Sequence, residues 1–301
     1  MTSAAGRFVG VDAGGTCAKI CLVDARGAQL RFVTVPTEPE RGPEDFVRRV
    51  KGIVGTWEFG GFGLALAGGV DENNGSLLFA PNLKSWIGFP FRRAFARALR
   101  APVTVENDAN AAVWGGYVVA LKKKPRSVIG VTLGTGVGGG LILGGRLHRG
   151  ASRSAGEVGH QTLSPSGPLC RCGKRGCLES YAGTRGIQRS ARRLMRRLPS
   201  PLTPKSIAEA ARAGDRGARK VWEEVGTWLG LGVANLVLSF DPEAVLLLGG
   251  VARAGSLLLR PVRRVLAEQP FRRPFSRLKL TAPAGRDWGC VGAALLCREL
   301  R

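Results

Sequence analysis

Acidic residues are scarce in this chain of 301 residues: there are 22, against 45 lysines and arginines, for a formal net charge of +23 at pH 7. A field of that sign attracts anions, whether nucleotides, nucleic acid or polyphosphate. The cations do not gather into one stripe. They fall at Lys122–Lys124 with Arg126, at Arg192, Arg193, Arg196 and Arg197, at Arg263 and Arg264, and at Arg272 and Arg273. Runs of this kind are solvated helix faces, and no specific nucleic-acid partner is expected. No run of 18 apolar residues occurs, so no membrane-spanning helix is expected either. The start, MTSAAGRFVGVDAGG, lacks the charged-then-apolar plan of a signal peptide. Histidine occurs only twice and cysteine seven times. Cys17, Cys21, Cys290 and Cys297 have no evident partners, which points to a reducing, cytoplasmic setting. What remains is ordinary. An apolar fraction of 44% and a charged fraction of 22% over this length suit a globular chain of about two domains.

One of the two histidines, His160, precedes three of the cysteines, Cys170, Cys172 and Cys177. Three thiols and an imidazole make a full tetrahedral donor set for Zn²⁺. A Cys170–Cys172 disulfide is disfavoured, because bridged cysteines need a particular Cα separation and Cβ geometry. Burial as ordinary core residues fits poorly too, since Arg171, Lys174 and Arg175 lie among them. A metal here fixes the stretch that carries Glu157 and ends at Glu179.

Residues 8–24, FVGVDAGGTCAKICLVD, read as a strand, a glycine turn and a second strand. Residues 128–147 repeat the plan: at an offset of 120, Gly10 meets Gly130, Val11 meets Val131, Gly14 meets Gly134 and Arg26 meets Arg146. This is the mark of a duplicated unit, one hairpin per domain. Successive N–H groups in glycine turns form nests for phosphate oxygens, because no Cβ keeps the anion away. Thr16 and Thr135 add hydroxyls and Lys19 a cation. Plain hairpins also use glycine turns; it is the matched pair that favours phosphates. Gly134 to Gly139 fits the dinucleotide spacing GxGxxG, but GGLILGGRL continues as strand and turn where that fingerprint needs a helix. A nicotinamide-dependent dehydrogenase is therefore rejected.

Further along, 61–71 read as a strand and glycine loop, followed by Ala80-Pro81-Asn82-Leu83 and Trp86, and a helix is expected from about Phe91 to Arg100. Pro102–Val105 leads as a strand into Glu106-Asn107-Asp108-Ala109-Asn110. Polar residues at a strand's carboxyl end, ahead of an alanine-rich helix, stand where open α/β sheets place ligand groups. Helix capping alone needs fewer of them. Helices are expected over 186–197, 204–214, 218–240 and 289–299, and Val245–Leu248 is a buried strand running into Gly249-Gly250, a turn suited to backing onto a flat adenine.

Taken together, the chain resembles the ROK family of sugar kinases and related repressors, over nearly its whole length. The resemblance rests on Asp12-Ala13-Gly14-Gly15-Thr16, Glu106-Asn107-Asp108-Ala109-Asn110, Leu133-Gly134-Thr135-Gly136-Val137-Gly138, Ala155-Gly156-Glu157-Val158-Gly159-His160, the Cys170–Glu179 segment and Gly249-Gly250. It implies an α/β, actin-like (ribonuclease H-like) ATPase fold, with two α/β domains flanking a cleft. The expected division is a smaller domain over 1–119, joined by a C-terminal helix at about 287–301, and a larger one over 120–286 that contains the zinc loop.

The resemblance also implies roles. Asp108 would be the general base for a sugar hydroxyl, with Asn82, Asn107, Glu157, His160 and Glu179 among the sugar-binding groups. His160 would join Cys170, Cys172 and Cys177 as a ligand of structural Zn²⁺. Asp12 would lie near Mg²⁺. Gly14, Gly15, Thr16 and Lys19, with Gly134, Thr135, Gly136, Val137 and Gly138, would hold the ATP phosphates, and Gly249 and Gly250 the adenine. The expected activity is ATP-dependent phosphorylation of a hexose at its 6-hydroxyl, glucose to glucose 6-phosphate, in a homodimer or homotetramer. N-acetylglucosamine, N-acetylmannosamine, fructose or allose as the sugar, and polyphosphate as the donor, are the alternatives within this class. A sugar-sensing regulator is the alternative outside it; with a first strand at about residue 8, no helix-turn-helix domain is expected ahead of the kinase-like part. Two departures stand out. Ala67-Gly68-Gly69 replaces the family's usual Pro-Gly-Pro, and Cys17 follows the first glycine turn where lysine or asparagine is common.

Overall fold

The computed structural model describes residues 6–283 and 285–299. From the N-terminus run β1 (Arg7–Ala13), β2 (Cys17–Asp24), β3 (Gln29–Pro36), α1 (Pro43–Val54), β4 (Gly61–Leu66), β5 (Gly69–Val70), β6 (Leu77–Phe79), α2 (Phe91–Leu99), β7 (Val103–Asn107) and α3 (Asp108–Val119). Next come β8 (Val128–Leu133), β9 (Val137–Leu143), β10 (Arg146–His148), α4 (Glu179–Ala182), α5 (Thr184–Leu194), α6 (Pro204–Arg212) and α7 (Arg216–Phe240). The chain ends with β11 (Ala244–Leu248), α8 (Ser256–Ala267), α9 (Arg273–Ser276), β12 (Lys279–Thr281) and α10 (Trp288–Arg298).

These elements divide into two compact units. The first comprises the described residues of Met1–Lys124, Leu147–Ala155 and Gly285–Arg301, and the second Pro125–Arg146 and Gly156–Ala284. Each is built on a five-stranded sheet of the same plan, β3-β2-β1-β4-β7 in one and β10-β9-β8-β11-β12 in the other. In the first, β1 and β2 form an antiparallel hairpin while β4 and β7 run parallel to β1. In the second, β8 and β9 form the hairpin, and β11 and β12 run parallel to β8. The likeness at an offset of 120 is thus a shared topology. The copies differ by one residue at the turn: Ala13 pairs with Ala18, whereas Leu133 pairs with Val137.

The first unit's core is a contiguous apolar cluster. Val9, Val11, Ile20 and Leu64 of the sheet pack with Phe46 and Val50 of α1 and Phe91 and Phe95 of α2. On the sheet's other face α10 lies almost in backbone contact. A Cβ at Gly10 would strike the Cys290 carbonyl, one at Gly63 the Ala293 carbonyl, and one at Gly292 the Ala111 carbonyl of α3. Glycine at these sites is dictated by space, and the close approach packs β1, β4 and α3 against α10 as one block. In the second unit β11 is buried along its whole length, and α7 contributes Val221, Trp222, Val225, Leu229 and Val233 to the interior. No helix among the described residues is long and apolar enough to cross a membrane.

Candidate functional site

The first unit's polar residues collect at the carboxyl ends of its parallel strands, where open α/β sheets place ligands. Asn107 ends β7 and caps α3: its side-chain oxygen accepts from the N–H groups of Ala109 (2.9 Å) and Asn110 (3.0 Å). Its amide nitrogen donates to the Gly68 carbonyl (3.0 Å) and to Asp108 Oδ1 (3.1 Å). The capping role is therefore real, but it uses only one end of the side chain. The other end orients Asp108, the first residue of the helix.

Asp12 lies on β1 at that same end. Lys19, opposite Asp12 in the register of β2, donates to Asp287 Oδ1 at 2.6 Å. Burial, and next the charge of Asp108, pushes the Asp12 carboxyl up to about 7, against a downward pull from Lys19. Burial depresses Lys19, but its hydrogen bond to Asp287 and the charges of Asp287 and Asp12 together outweigh that and hold the ammonium above its usual range. Three carboxylates and one ammonium thus share a small region, the kind of concentrated negative charge that a divalent cation relieves. The first glycine turn is pinned from outside: the Thr37 hydroxyl donates to the Gly14 carbonyl (2.7 Å), and the Thr37 N–H to the Thr16 carbonyl (3.0 Å). Asn82 packs against Gly15, where a Cβ would stand 2.7 Å from its own.

In the second unit the other glycine turn is held by the stretch that follows the cysteines. The Val137 N–H donates to Glu179 Oε2 at 3.0 Å. Both the N–H (3.0 Å) and the hydroxyl (2.9 Å) of Thr184 donate to the Gly134 carbonyl. A Cβ at Gly136 would collide with the Glu179 carboxylate. Gly249 sits with φ +92 against the Leu133 carbonyl, and Gly250 has open space where a side chain would be. The turns that follow β8 and β11 therefore lie side by side, at the ends of two adjacent parallel strands.

His160, Cys170, Cys172 and Cys177 place one ligand atom each within 4.8 Å of one another. Cys172 Sγ lies 3.7 Å from Cys177 Sγ, and Cys170 Sγ 3.8 Å from His160 Nδ1. A tetrahedron with metal–sulfur bonds of about 2.3 Å has edges of about 3.8 Å. A disulfide needs sulfurs at about 2.05 Å, and every cysteine here is a free thiol. The donor set and its spacing fit a closed four-coordinate site. Cys170 and Cys177 are buried although cations flank them: Arg171, Lys174 and Arg175 are exposed, and Lys174 and Arg175 donate back to the His160 and Gly167 carbonyls. Burial pushes the Cys177 thiol up to about 12 and raises Cys170, whereas the Lys174 N–H lowers Cys172. Three such thiols ionise together only when a bound cation balances them. His160 Nε2, on the far side of the ring from Cys170, is 4.0 Å from Glu157 Oε2.

Two participants had no signal in the sequence. Asp287 lies 268 positions from the Lys19 that it binds, and Arg149 lies 43 positions from its partner Glu106. No motif or periodicity links residues at such separations.

Residues 8–300 match the model of the ROK family. The glucokinase of Streptomyces coelicolor is 37% identical over 313 aligned residues, which cover 98% of this chain and 98% of that protein. The glucokinase of Thermotoga maritima is 33% identical, covering 97% of this chain and 98% of its own. A crystal structure of a ROK family glucokinase from Streptomyces griseus, in complex with glucose and AMPPNP, is 36% identical with a TM-score of 0.84, covering 98% of this chain and 100% of that one. The paired hairpin sheets are those of the actin-like ATPase fold, and the chain belongs to the ROK family.

Proposed function

We propose that this ATP-dependent sugar kinase phosphorylates glucose at its 6-hydroxyl, with Asp108 taking the hydroxyl proton. The observation that carries the reading is the fixed orientation of Asp108: one side chain, Asn107, both caps α3 and holds Asp108 Oδ1 at 3.1 Å. Phosphoryl transfer has a loose transition state, so catalysis consists mainly of positioning and charge neutralisation, with one carboxylate accepting the proton. Similarity to proteins named glucokinase, covering almost the whole of each, supports glucose as the sugar.

Asn82, Asn107, Glu157, His160 and Glu179 are the remaining sugar-binding groups in this reading. Carboxylates suit hydroxyls because they accept two hydrogen bonds each. The N–H groups of Gly14, Gly15 and Thr16, and of Gly134 to Gly138, meet the ATP phosphates. Gly249 and Gly250 leave room for the adenine. Asp12 would supply an oxygen ligand of the kind Mg²⁺ favours, with Asp287 adding negative charge nearby, and Mg²⁺ would neutralise the charge developing on the phosphates. His160 Nδ1 and the three thiols hold structural Zn²⁺. Nε2 of the same ring faces the Glu157 carboxylate.

The test is product identification. Purified protein with glucose, ATP and Mg²⁺ is expected to yield glucose 6-phosphate and ADP by phosphorus NMR, faster than with N-acetylglucosamine, N-acetylmannosamine, fructose or allose, and faster with ATP than with polyphosphate. Preference for another sugar or donor overturns the substrate assignment. Sequence-specific binding to duplex DNA at physiological salt would favour a regulator instead.

A further inference from the structure

We propose that Glu106 and Arg149 form a positioning pair that sets the aim of Asp108. The inference rests on the reading of Asp108 as the group that takes the sugar proton.

Glu106 is a carboxylate only 4% exposed, at the end of β7. A charge in such a place is tolerated only when paired and hydrogen-bonded. Both of its oxygens are used. Oε1 accepts from the backbone N–H of Asn107 (3.0 Å) and from Asn110 Nδ2 (3.2 Å); Oε2 accepts from Arg149 Nε at 2.7 Å. Glu106 therefore grips two residues on either side of Asp108, at the start of α3. One of them, Asn107, touches the Asp108 carboxylate itself. The line Arg149–Glu106–Asn107–Asp108 is unbroken, and each link is a hydrogen bond of ordinary length.

Arg149 is itself held in place. It opens a turn closed by the Ala155 N–H on its own carbonyl (3.0 Å). Four residues on, Arg153 Nη1 pairs with Glu72 Oε1 at 2.7 Å. The Glu72 carbonyl in turn accepts from Arg92 Nη1 at 2.7 Å. The segment Leu147–Ala155 is thus tied to the rest of its unit at two points, and the guanidinium that meets Glu106 is pre-placed. Removing it leaves a buried carboxylate uncompensated. Glu106 then gains by turning towards water, which releases the N–H of Asn107 and the amide of Asn110. Asp108 stays on its helix but loses its aim. An error of about 1 Å in a reacting group costs about 100-fold in rate.

The experiment compares Arg149→Ala, Arg149→Lys and Glu106→Gln with wild type and with Asp108→Asn, at a temperature well below each variant's melting transition. Arg149→Ala is expected to lose about 10- to 100-fold in kcat while its KM for glucose stays within about threefold. Arg149→Lys, which restores the charge without the planar fork, is expected to recover part of the loss. Glu106→Gln is expected to fall in kcat in the same direction. A staple that serves folding alone would lower the melting temperature of these variants and leave kcat untouched; that result overturns the proposal. If Arg149→Ala does not fold, Arg149→Lys becomes the deciding variant, and wild-type kcat in it is the contradicting result. An active Asp108→Asn enzyme would overturn the assignment of Asp108, whereas an inactive Asp108→Asn enzyme beside a fully active Arg149→Ala enzyme overturns only the pair.

Discussion

Asp12 shows how much a single residue's surroundings decide. Burial and two neighbouring acids make its charged form costly, so its carboxyl rises to about 7, from the 3.8 usual for the residue. Between those values the folded chain holds a proton that the unfolded chain has released. The contribution of Asp12 to stability is therefore greatest at low pH and falls as pH rises from about 4 through about 7. Asp12→Asn cannot ionise and removes that slope. In buffer free of divalent ions, urea unfolding should show the variant gaining on wild type as pH rises across this window, and curves that stay parallel would contradict this reading of Asp12. Asp12 and Asp108 were legible as candidates because each stands at a strand end in a recognisable local pattern. Lys19 was legible as a cation but not as the partner of Asp287, since that contact is made by folding and not by spacing. For the same reason Glu106 was visible within its motif, while the reason for its burial, Arg149, was not.

At the scale of elements, the two hairpins were readable because glycines, strand residues and the closing Arg recur at one offset. The His160–Cys177 cluster was readable because its donors lie close along the chain. The contact that joins these two features was not. Glu179 accepts from Val137 N–H across the second glycine turn, so the cysteine-pinned stretch and the turn proposed for phosphates share a side chain. Gly136→Ala tests this coupling. The added methyl displaces the end of the Glu179 side chain, and losing the hydrogen bond that its carboxylate accepts from Val137 N–H costs about 1.5–3 kcal/mol. Urea denaturation should show that loss, and KM should rise for ATP and glucose together. A variant with wild-type stability and unchanged KM values would mean that the turn yields without moving Glu179. Element limits also shifted where termini are decided by packing. The strand expected to end at Val105 runs on to Asn107, because Ala65 and Leu66 of β4 continue to pair with Glu106 and Asn107.

For the molecule as a whole, length and composition suggested about two domains, and the described residues fall into two units of one topology. The segment Leu147–Ala155, which belongs to the first unit although second-unit residues flank it on both sides, carries no composition shift that would announce it. Metal removal acts at this scale, because structural zinc contributes directly to folding. Cys172 is the informative position: it is exposed, so Cys172→Ser leaves no core cavity, and any large effect comes from the ligand set. Elemental analysis is expected to find one zinc per chain in the wild type and a reduced content in the variant, with a lower melting temperature and weaker glucose binding. Zinc-free wild-type protein with full stability would mean that the cluster holds no structural metal. The most direct test of Asp108 as the proton acceptor is turnover of Asp108→Asn, measured alongside calorimetric glucose binding. A fall in kcat of about 10²–10⁴-fold is expected, with glucose affinity within a few-fold of wild type, and near-normal turnover would contradict the assignment.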